Sequence, residues 1–155
     1  PKISEIVEAE LIWRPAGGLE STSVTAPVGH LDLAPTFCDI AGIEVPDYME
    51  GQVLPVSEDC GQNRENVLTE WDSEHRSIDM HLKSIYRSDG WLCTCYEKSA
   101  LYEGTEGELY NLKADPEQRV NLWSKETQIQ AELVDELYDT LPAAREPKLE
   151  RKAPV

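Results

Sequence analysis

One short run in this 155-residue chain constrains its fold more than any other, because it couples a strand to a turn and an apolar anchor. The run reads Gly107-Glu-Leu-Tyr-Asn-Leu-Lys-Ala-Asp-Pro-Glu-Gln-Arg-Val-Asn-Leu-Trp123. Its first apolar residues suit a pleated, partly buried strand. Asp115-Pro116 ends that strand, because proline fixes its own φ, lacks an N–H and pushes the preceding residue out of the helical region. We therefore predict a turn at 114–118.

Three further segments rich in Val, Ile, Leu, Tyr, Trp and Thr precede this strand. Together they predict four strands at 66–70, 81–87, 90–96 and 108–112. Asp89-Gly90 lies between the second and third, and this dipeptide matches a two-residue primed turn that follows the strand twist. We therefore expect the second and third strands to be antiparallel neighbours.

A C-terminal helix is predicted from apolar residues on one face, which are Ile129, Leu133, Leu137 and Leu141, with Val134 and Tyr138 beside them. Thr127 and Gln130 have the spacing of a capping box, and Pro142 ends the pattern. One such helix is enough to cover one face of a four-stranded sheet. Trp91, Trp123 and Tyr110 are predicted to lie in the core or between the sheet and the helix.

The N-terminal third predicts a short apolar strand at 11–13, a Pro-Ala-Gly-Gly turn and a helix. Asp32 suits the N-cap of that helix, Pro35 is tolerated in its first turn, and Gly42 is a C-terminal stop. We expect this helix to bury Phe37. The Pro, Gly, Asp and Asn content of residues 45–64 predicts a connecting loop.

Several of these segments resemble the C-terminal part of sulfatases. Residues 107–123 are similar to the family's strand ending Glu-Leu-Tyr-Asn/Asp-Leu, followed by Asp-Pro-Glu and Asn-Leu. Val28-Gly-His-Leu-Asp-Leu-Ala-Pro-Thr-Phe-Cys-Asp-Ile-Ala-Gly42 resembles its Val-x-x-x-Asp-Leu-x-Pro-Thr segment ending in Ala-Gly, and residues 10–18 resemble the strand and Pro-Gly-Gly turn before it. The segments follow the family's order, from near residue 1 to about Leu141.

The resemblance and the patterns together imply an α+β fold. We expect a small antiparallel sheet of about four strands packed by the C-terminal helix, plus a strand and helix remnant of an α/β sulfatase domain. The implied divisions are the remnant at 1–50, the C-terminal subdomain at 51–141 and an extended tail at 142–155.

The resemblance places the family's chemistry outside this chain. Sulfatases carry a Cys/Ser-x-Pro-x-Arg motif whose Cys or Ser becomes formylglycine, and Asp-Asp and Asp-His-Gly motifs that hold a divalent cation, usually calcium. The sequence contains none of these, and no x-Pro-x-Arg follows Cys38, Cys60, Cys93 or Cys95. We therefore expect no catalytic residue and no metal ligand here, a missing N-terminal sulfatase domain as partner, and no sulfate ester hydrolysis by this chain alone.

Candidate substrate-lining residues lie in the run Glu70-Trp-Asp-Ser-Glu-His-Arg76, predicted as a polar loop after the first strand of the sheet. In similar sulfatases, loops of the terminal subdomain border the active-site cleft. The resemblance therefore suggests Trp71, His75 and Arg76 as contacts for the ester's anionic or polar part. Lys2 is interpreted as a surface lysine and His30 as a structural residue.

A formal charge of −16 and a pI near 4.4 argue against binding to nucleic acids and to anionic membranes. No apolar run reaches membrane-spanning length, and the first residues lack a secretory signal pattern. Cys93 and Cys95 are two apart on a predicted strand, which suits neither a mutual disulfide nor a zinc-ribbon spacing. Reduced thiols favour a cytoplasmic location.

Two alternatives stay open at this point. The chain is also compatible with a noncatalytic acidic interaction or oligomerisation module, in which apolar edges associate with a second copy. A third interpretation is the tail of a phosphonate or phosphate ester hydrolase of the same superfamily. At Val7-Glu-Ala-Glu10 the sequence departs from the family, because sulfatases commonly have Arg, an apolar residue and Pro there. The resemblance therefore does not specify the substrate.

Overall fold

The structure is a computed structural model that describes residues 23–55, 64–75 and 78–141, together with the isolated positions 12, 14 and 18. The side chains of residues 74 and 75 are not described. Lys2, residues 7–10, most of the predicted strand at 11–13, Cys60, Arg76 and the predicted tail at 142–155 lie outside the described residues.

Four strands form one antiparallel sheet in the order β1-β2-β3-β4, which confirms the predicted sheet. The strands are β1 (Asn66–His75), β2 (Ile78–Arg87), β3 (Trp91–Tyr96) and β4 (Gly107–Asn111). Each strand pairs with its neighbour in sequence, so the sheet needs only local connections. The described helices are a 3₁₀ helix (His30–Asp32), α1 (Leu33–Ala41) and α2 (Thr127–Thr140).

The first hairpin is longer than predicted. The sequence predicted that the first strand ends at Glu70 and a polar loop follows, but the β1–β2 ladder continues from Asn66↔Arg87 to His75↔Ile78. The predicted loop is therefore wrong. Polar residues are tolerated in this part of the strands because cross-strand backbone hydrogen bonds, rather than burial, hold them together.

The β2–β3 connection is a hairpin, as predicted, but Ser88, Asp89 and Gly90 all lie between the strands. Gly90 has φ +100° and its N–H donates to the Arg87 carbonyl at 2.8 Å. A third loop residue with positive φ is the usual way in which three-residue hairpins preserve the strand twist, and glycine adopts it without steric cost.

The segment after β4 closes the edge of the sheet. The Asn121 amide donates to the Gly107 carbonyl at 3.1 Å, and its side-chain oxygen accepts the Leu109 N–H at 3.1 Å. The Leu122 N–H also donates to the Leu109 carbonyl at 2.8 Å. The Asp-Pro turn therefore returns the chain so that Asn121 pairs the free backbone groups of an edge strand. The turn predicted at 114–118 ends at Gln118, whose backbone is left-handed with φ 51°.

The core lies between the sheet and α2. Its fully buried members share one face of the sheet and one face of the helix, and they are Ile85, Cys93, Leu109, Leu133 and Leu137. Trp91 and Trp123 pack against this cluster, and Tyr110 is buried, as predicted. The period of the apolar residues in α2 was thus sufficient to identify its buried face.

Helix α2 begins at Thr127, but the predicted capping box does not form. Its N-cap residue is Glu126, which makes no side-chain capping hydrogen bond. A backbone turn leads into the helix, because the Lys125 and Glu126 N–H groups donate to the Leu122 carbonyl at 2.8 and 2.9 Å. The turn that closes the sheet edge therefore also starts the helix.

Helix α1 ends at Gly42 as predicted, with φ 66° and an N–H that donates to the Asp39 carbonyl at 3.0 Å. The predicted burial of Phe37 is wrong, since this side chain is 64% exposed. The buried side of the segment instead carries Asp32, Pro35 and Thr36. Polar contacts, rather than the largest apolar residue, determine which side of α1 faces the protein.

Asp32 is the centre of those contacts and is 1% exposed. Its carboxylate accepts two hydrogen bonds from the Arg64 guanidinium at 2.7 Å each, and further bonds from the Gly29 and Gln52 N–H groups at 2.7 and 2.9 Å. Asp32 occupies the N-cap position, but its side chain does not cap α1. It joins the helix to the chain that leads into β1.

We expect the protein to lose stability in alkali. Burial, followed by nearby negative groups, raises the pKa of Tyr138 to about 12, and burial also raises the pKa of Tyr96 and of Tyr110. The unfolded chain therefore loses these protons first, so stability is complete below about pH 10 and falls as pH rises towards 12. Urea unfolding at about pH 8 and about pH 11 measures the loss. Tyr138→Phe should lessen it, and identical midpoints at the two pH values would contradict the prediction.

Within the described part of the chain, no helix is both long and apolar enough to span a bilayer.

Candidate functional site

The end of the β1–β2 hairpin projects beyond the rest of the sheet. Strand β2 pairs with β1 along its whole length, whereas β3 pairs with β2 only from Leu82 to Tyr86. Residues 71–75 and 78–81 therefore form a two-stranded extension, which we call the arm. Side chains alternate between the faces of a strand, so the arm has one side continuous with the α2 face of the sheet and one side facing away from α2.

Trp71 is the candidate residue whose side chain is described. It lies opposite Leu82 in the ladder, on the side away from α2, and is 48% exposed. His75 forms the last backbone pair of the arm with Ile78, and Arg76 lies outside the described residues. The structure thus places Trp71 and His75 on the same projecting element, with Arg76 directly following in sequence.

The opposite side of the arm carries an acidic cluster around His81. The His81 Nδ1 lies 2.7 Å from Asp72 Oδ1, and its Nε2 lies 3.5 Å from Asp79 Oδ2. Asp79 also accepts the Ala100 N–H at 2.9 Å, and this bond lowers the pKa of its carboxyl group. The imidazole therefore links the two strands of the arm, while Asp79 ties the arm to the loop after β3.

A second group of contacts supports the base of the arm. Lys83 Nζ lies 2.8 Å from Glu97 Oε1 and 5.4 Å from the centroid of the Tyr138 ring. The Glu97 N–H donates to the His81 carbonyl at 2.9 Å. These contacts connect β2, the loop after β3 and α2, so the side of the arm opposite Trp71 is anchored to the rest of the domain.

Cys93 and Cys95 lie in the core and do not have the surroundings of a nucleophile. Cys38, Cys93 and Cys95 are free thiols, and Cys93 and Cys95 are buried beneath α2. The hydrogen bond to Cys95 and burial raise the pKa of Cys93. Reactive cysteines are thiolates in electropositive, partly exposed places, so this buried pair is better explained as core packing.

Sequence reasoning selected residues 70–76 as a polar loop, so it missed both the strand structure of residues 71–75 and the way in which the arm is held. The cluster of Asp72, Asp79 and His81 joins residues from two strands, and only the register of the β1–β2 ladder brings them together. Alternation within the predicted second strand would have placed Asp79 and His81 on one side, had that strand been extended to residue 78. No local signal indicated Asp32 and Arg64, which are 32 residues apart.

Most of the chain is similar to the C-terminal part of known sulfatases. The family model described as "N-sulphoglucosamine sulphohydrolase, C-terminal" matches residues 10–146. A Delta 4,5-hexuronate-2-O-sulfatase of Bacteroides thetaiotaomicron is 35% identical over 105 residues, covering 62% of this chain and 21% of that protein. An N-acetylglucosamine-6-O-sulfatase of the same organism is 32% identical over 124 residues, covering 74% of this chain and 21% of that protein. The chain thus spans about a fifth of the length of these relatives.

A solved structure of a 2-O GAG sulfatase is also similar, with a TM-score of 0.55 and 30% identity. The similarity covers 75% of this chain and 27% of that one. Sequence and fold therefore agree with the resemblance carried by residues 28–42 and 107–123. The chain belongs to the N-sulphoglucosamine sulphohydrolase C-terminal family, and it is the C-terminal portion of a sulfatase.

Proposed function

We propose that this chain is the noncatalytic C-terminal domain of an enzyme that hydrolyses sulfate esters of saccharides, and that its arm lines the substrate cleft. The observation that supports this most directly is an exposed tryptophan on an anchored, projecting hairpin. The family model and both relatives carry the names of sulfatases or sulphohydrolases of sugars, which favours a saccharide over an aryl ester.

The chemistry of the arm suits a polar, anionic sugar. Trp71 presents a large, rigid ring with an exposed surface, and such rings contribute contact area at little cost in conformational entropy. Arg76 carries the planar guanidinium that binds sulfate-like oxyanions in a bidentate manner, and His75 is adjacent to it in sequence. We assign these three residues to substrate binding and orientation, not to bond cleavage.

The residues described here do not fit the formylglycine and calcium that sulfatases use. Cys38 is followed by Asp-Ile-Ala-Gly instead of x-Pro-x-Arg. Among the residues that the structure describes, no group of three or more His, Cys, Asp or Glu side chains is placed to hold a metal ion. We therefore assign nucleophile and cation to an N-terminal domain, and attribute no chemical step to this chain.

Substitution of Trp71 tests the proposal in a polypeptide that joins the N-terminal sulfatase domain to this chain. We expect Trp71→Ala to raise KM for a sulfated disaccharide roughly tenfold with kcat little changed, because a lost contact of about 1.4 kcal/mol affects ground state and transition state alike. Val120→Ala is the matched control, since Val120 is 47% exposed and lies in the turn after β4. Equal KM values for the two variants would refute the role of the arm.

The isolated chain provides the second test. If it is noncatalytic, the 155-residue chain should not hydrolyse a sulfated disaccharide, with or without added calcium. Turnover that co-purifies with the chain and is lost on substitution of one of its own residues, such as Cys38→Ala, would show that the chain is not noncatalytic.

A further inference from the structure

The arm depends on side-chain contacts for its position more than the rest of the sheet does. Residues 71–75 and 78–81 have one partner strand each, because β3 pairs with β2 only from Leu82 to Tyr86. A two-stranded antiparallel pair is marginally stable in water when no third strand supports it. Contacts that join the two strands of the arm, or join the arm to a neighbouring loop, therefore determine how firmly Trp71 is held.

His81 makes contacts of both kinds. It lies directly opposite Asp72 in the β1–β2 ladder, next to the pair that contains Trp71. Its Nδ1 lies 2.7 Å from Asp72 Oδ1, and its Nε2 lies 3.5 Å from Asp79 Oδ2. Asp79 in turn accepts a backbone N–H from the loop after β3 at 2.9 Å. The imidazole and its two carboxylates therefore join both strands of the arm to that loop, beside Trp71.

The arrangement suits a protonated imidazole. A carboxylate faces each ring nitrogen, and an ionised carboxylate only accepts hydrogen bonds. A neutral imidazole has one N–H, so it would turn a lone pair towards one of the two carboxylates, whereas an imidazolium donates from both nitrogens. Opposite charges at these distances also favour the charged form of the ring. The contacts around His81 are therefore complete only while the ring carries both protons.

The other charged groups on this side of the arm leave that attraction in place. Glu70 lies on β1 opposite Lys83 in the ladder, and Glu97 follows β3. Lys83 Nζ lies 2.8 Å from Glu97 Oε1, so these two charges offset each other, and Tyr138 of α2, with a pKa of about 12, is neutral. Among the described side chains, the surroundings of His81 are thus net negative. The His81 side chain is 25% exposed, so water can deliver and remove its proton.

We propose that His81 is a positioning residue, whose protonated imidazole fixes the arm and with it Trp71. Loss of one imidazole proton to water removes an N–H donor and the positive charge that both carboxylates face. Because the folded arm favours the protonated form, the stabilisation is complete below the ordinary pKa of histidine, about 6.5, and is lost as pH rises through the titration of His81. The effect on the arm is independent of substrate, whereas an effect on substrate binding rests on the proposed function.

Hydrogen exchange of the isolated chain tests the effect on the arm. We expect the protection factors of its hydrogen-bonded amides to be at least about threefold lower at about pH 8.5 than at about pH 5.5. Protection factors are corrected for the intrinsic pH dependence of exchange, and the amides of β3 serve as the internal reference. Equal protection of the arm at the two pH values overturns the proposal.

Substitutions of the arm histidines assign the pH dependence to one ring. His81→Gln keeps a donor without a charge, so its arm should have the same low protection at both pH values. His81→Arg keeps the charge and can donate to both carboxylates, so its arm should stay protected at both. His75→Gln is the matched control, since His75 also lies on the arm, and it should retain the pH dependence of the unaltered chain.

Two results of this series overturn the proposal. One is a pH dependence that persists in His81→Gln or is lost in His75→Gln. The other is an arm that, at about pH 8.5, is no better protected in His81→Arg than in His81→Gln.

The pH profile of KM is the functional readout, in a polypeptide that includes the N-terminal sulfatase domain. Between about pH 5.5 and about pH 8.5, KM for a sulfated disaccharide should rise at least about twofold more in the unaltered protein than in His81→Arg, with kcat changing equally in both. The reason is that a marginally stable arm, once loosened, is competent to bind for a smaller fraction of the time. Equal KM profiles overturn the role of His81 in positioning Trp71. Equal KM values for Trp71→Ala and Val120→Ala would refute the proposed function instead, while hydrogen exchange still decides whether His81 fixes the arm.

Discussion

Replacing Asp32 by Asn should free α1 from the sheet domain, at a cost of roughly 3–5 kcal/mol, because one partner of a buried ion pair is left without its counter-charge. Asp32 is 1% exposed and accepts four hydrogen bonds, two of them from Arg64. An Asn side chain has one acceptor oxygen and no charge, so the guanidinium and at least one N–H lose their partner. Hydrogen exchange of residues 33–41 is the measurement, and we expect much faster exchange there than in the sheet.

A second substitution separates the ion pair from simple loss of packing. Arg64→Met removes the opposing charge, so the double variant with Asp32→Asn should be less destabilised than the sum of the two single variants. Exact additivity would indicate that the two side chains act independently. The pair also connects the start of α1 with the segment that leads into β1.

Replacing Leu109 by Ala should destabilise the sheet and α2 together by about 2–5 kcal/mol, because it removes the centre of the core and leaves a cavity. Leu109 is 0% exposed and belongs to the buried cluster that includes Ile85, Leu133 and Leu137. Its backbone also pairs with Asn121 and Leu122, so the surrounding chain has little freedom to collapse into the space. Urea unfolding followed by circular dichroism measures the change.

The control for this prediction is Leu101→Ala, at a leucine that is 53% exposed in the loop between β3 and β4. It should change the free energy of unfolding by no more than about 0.5 kcal/mol. If the two leucine variants unfold at the same urea concentration, then the assigned core between α2 and the sheet is wrong.

Local patterns were enough to predict much of this fold. The apolar spacing in α2 identified Leu133 and Leu137 as buried, and Asp115-Pro116 identified the turn after β4. Such features depend on residues close together in sequence, whose side-chain period and backbone preferences are written directly in the chain. The candidate residues Trp71, His75 and Arg76 came instead from the resemblance to sulfatases, and their role in substrate binding is a proposal.

Pairing between segments accounted for two of the features that were predicted wrongly, the loop after Glu70 and the burial of Phe37. The loop expected after Glu70 is strand, because residues 71–75 pair with 78–82 in a ladder that no single-strand pattern reveals. The cluster around His81 follows from the same register.

Residue patterns along the chain were enough to predict its elements: a terminal amphipathic helix, a meander of strands and the Asp-Pro turn that joins them. The length of the arm and the direction in which α1 faces depend instead on tertiary contacts. An apolar residue such as Phe37 favours burial, but Arg64 and Gln52, 32 and 20 residues from Asp32, hold the opposite side of the helix more strongly. Spacing along a chain encodes which faces are apolar, whereas the choice of partner for each face depends on which distant groups meet in three dimensions.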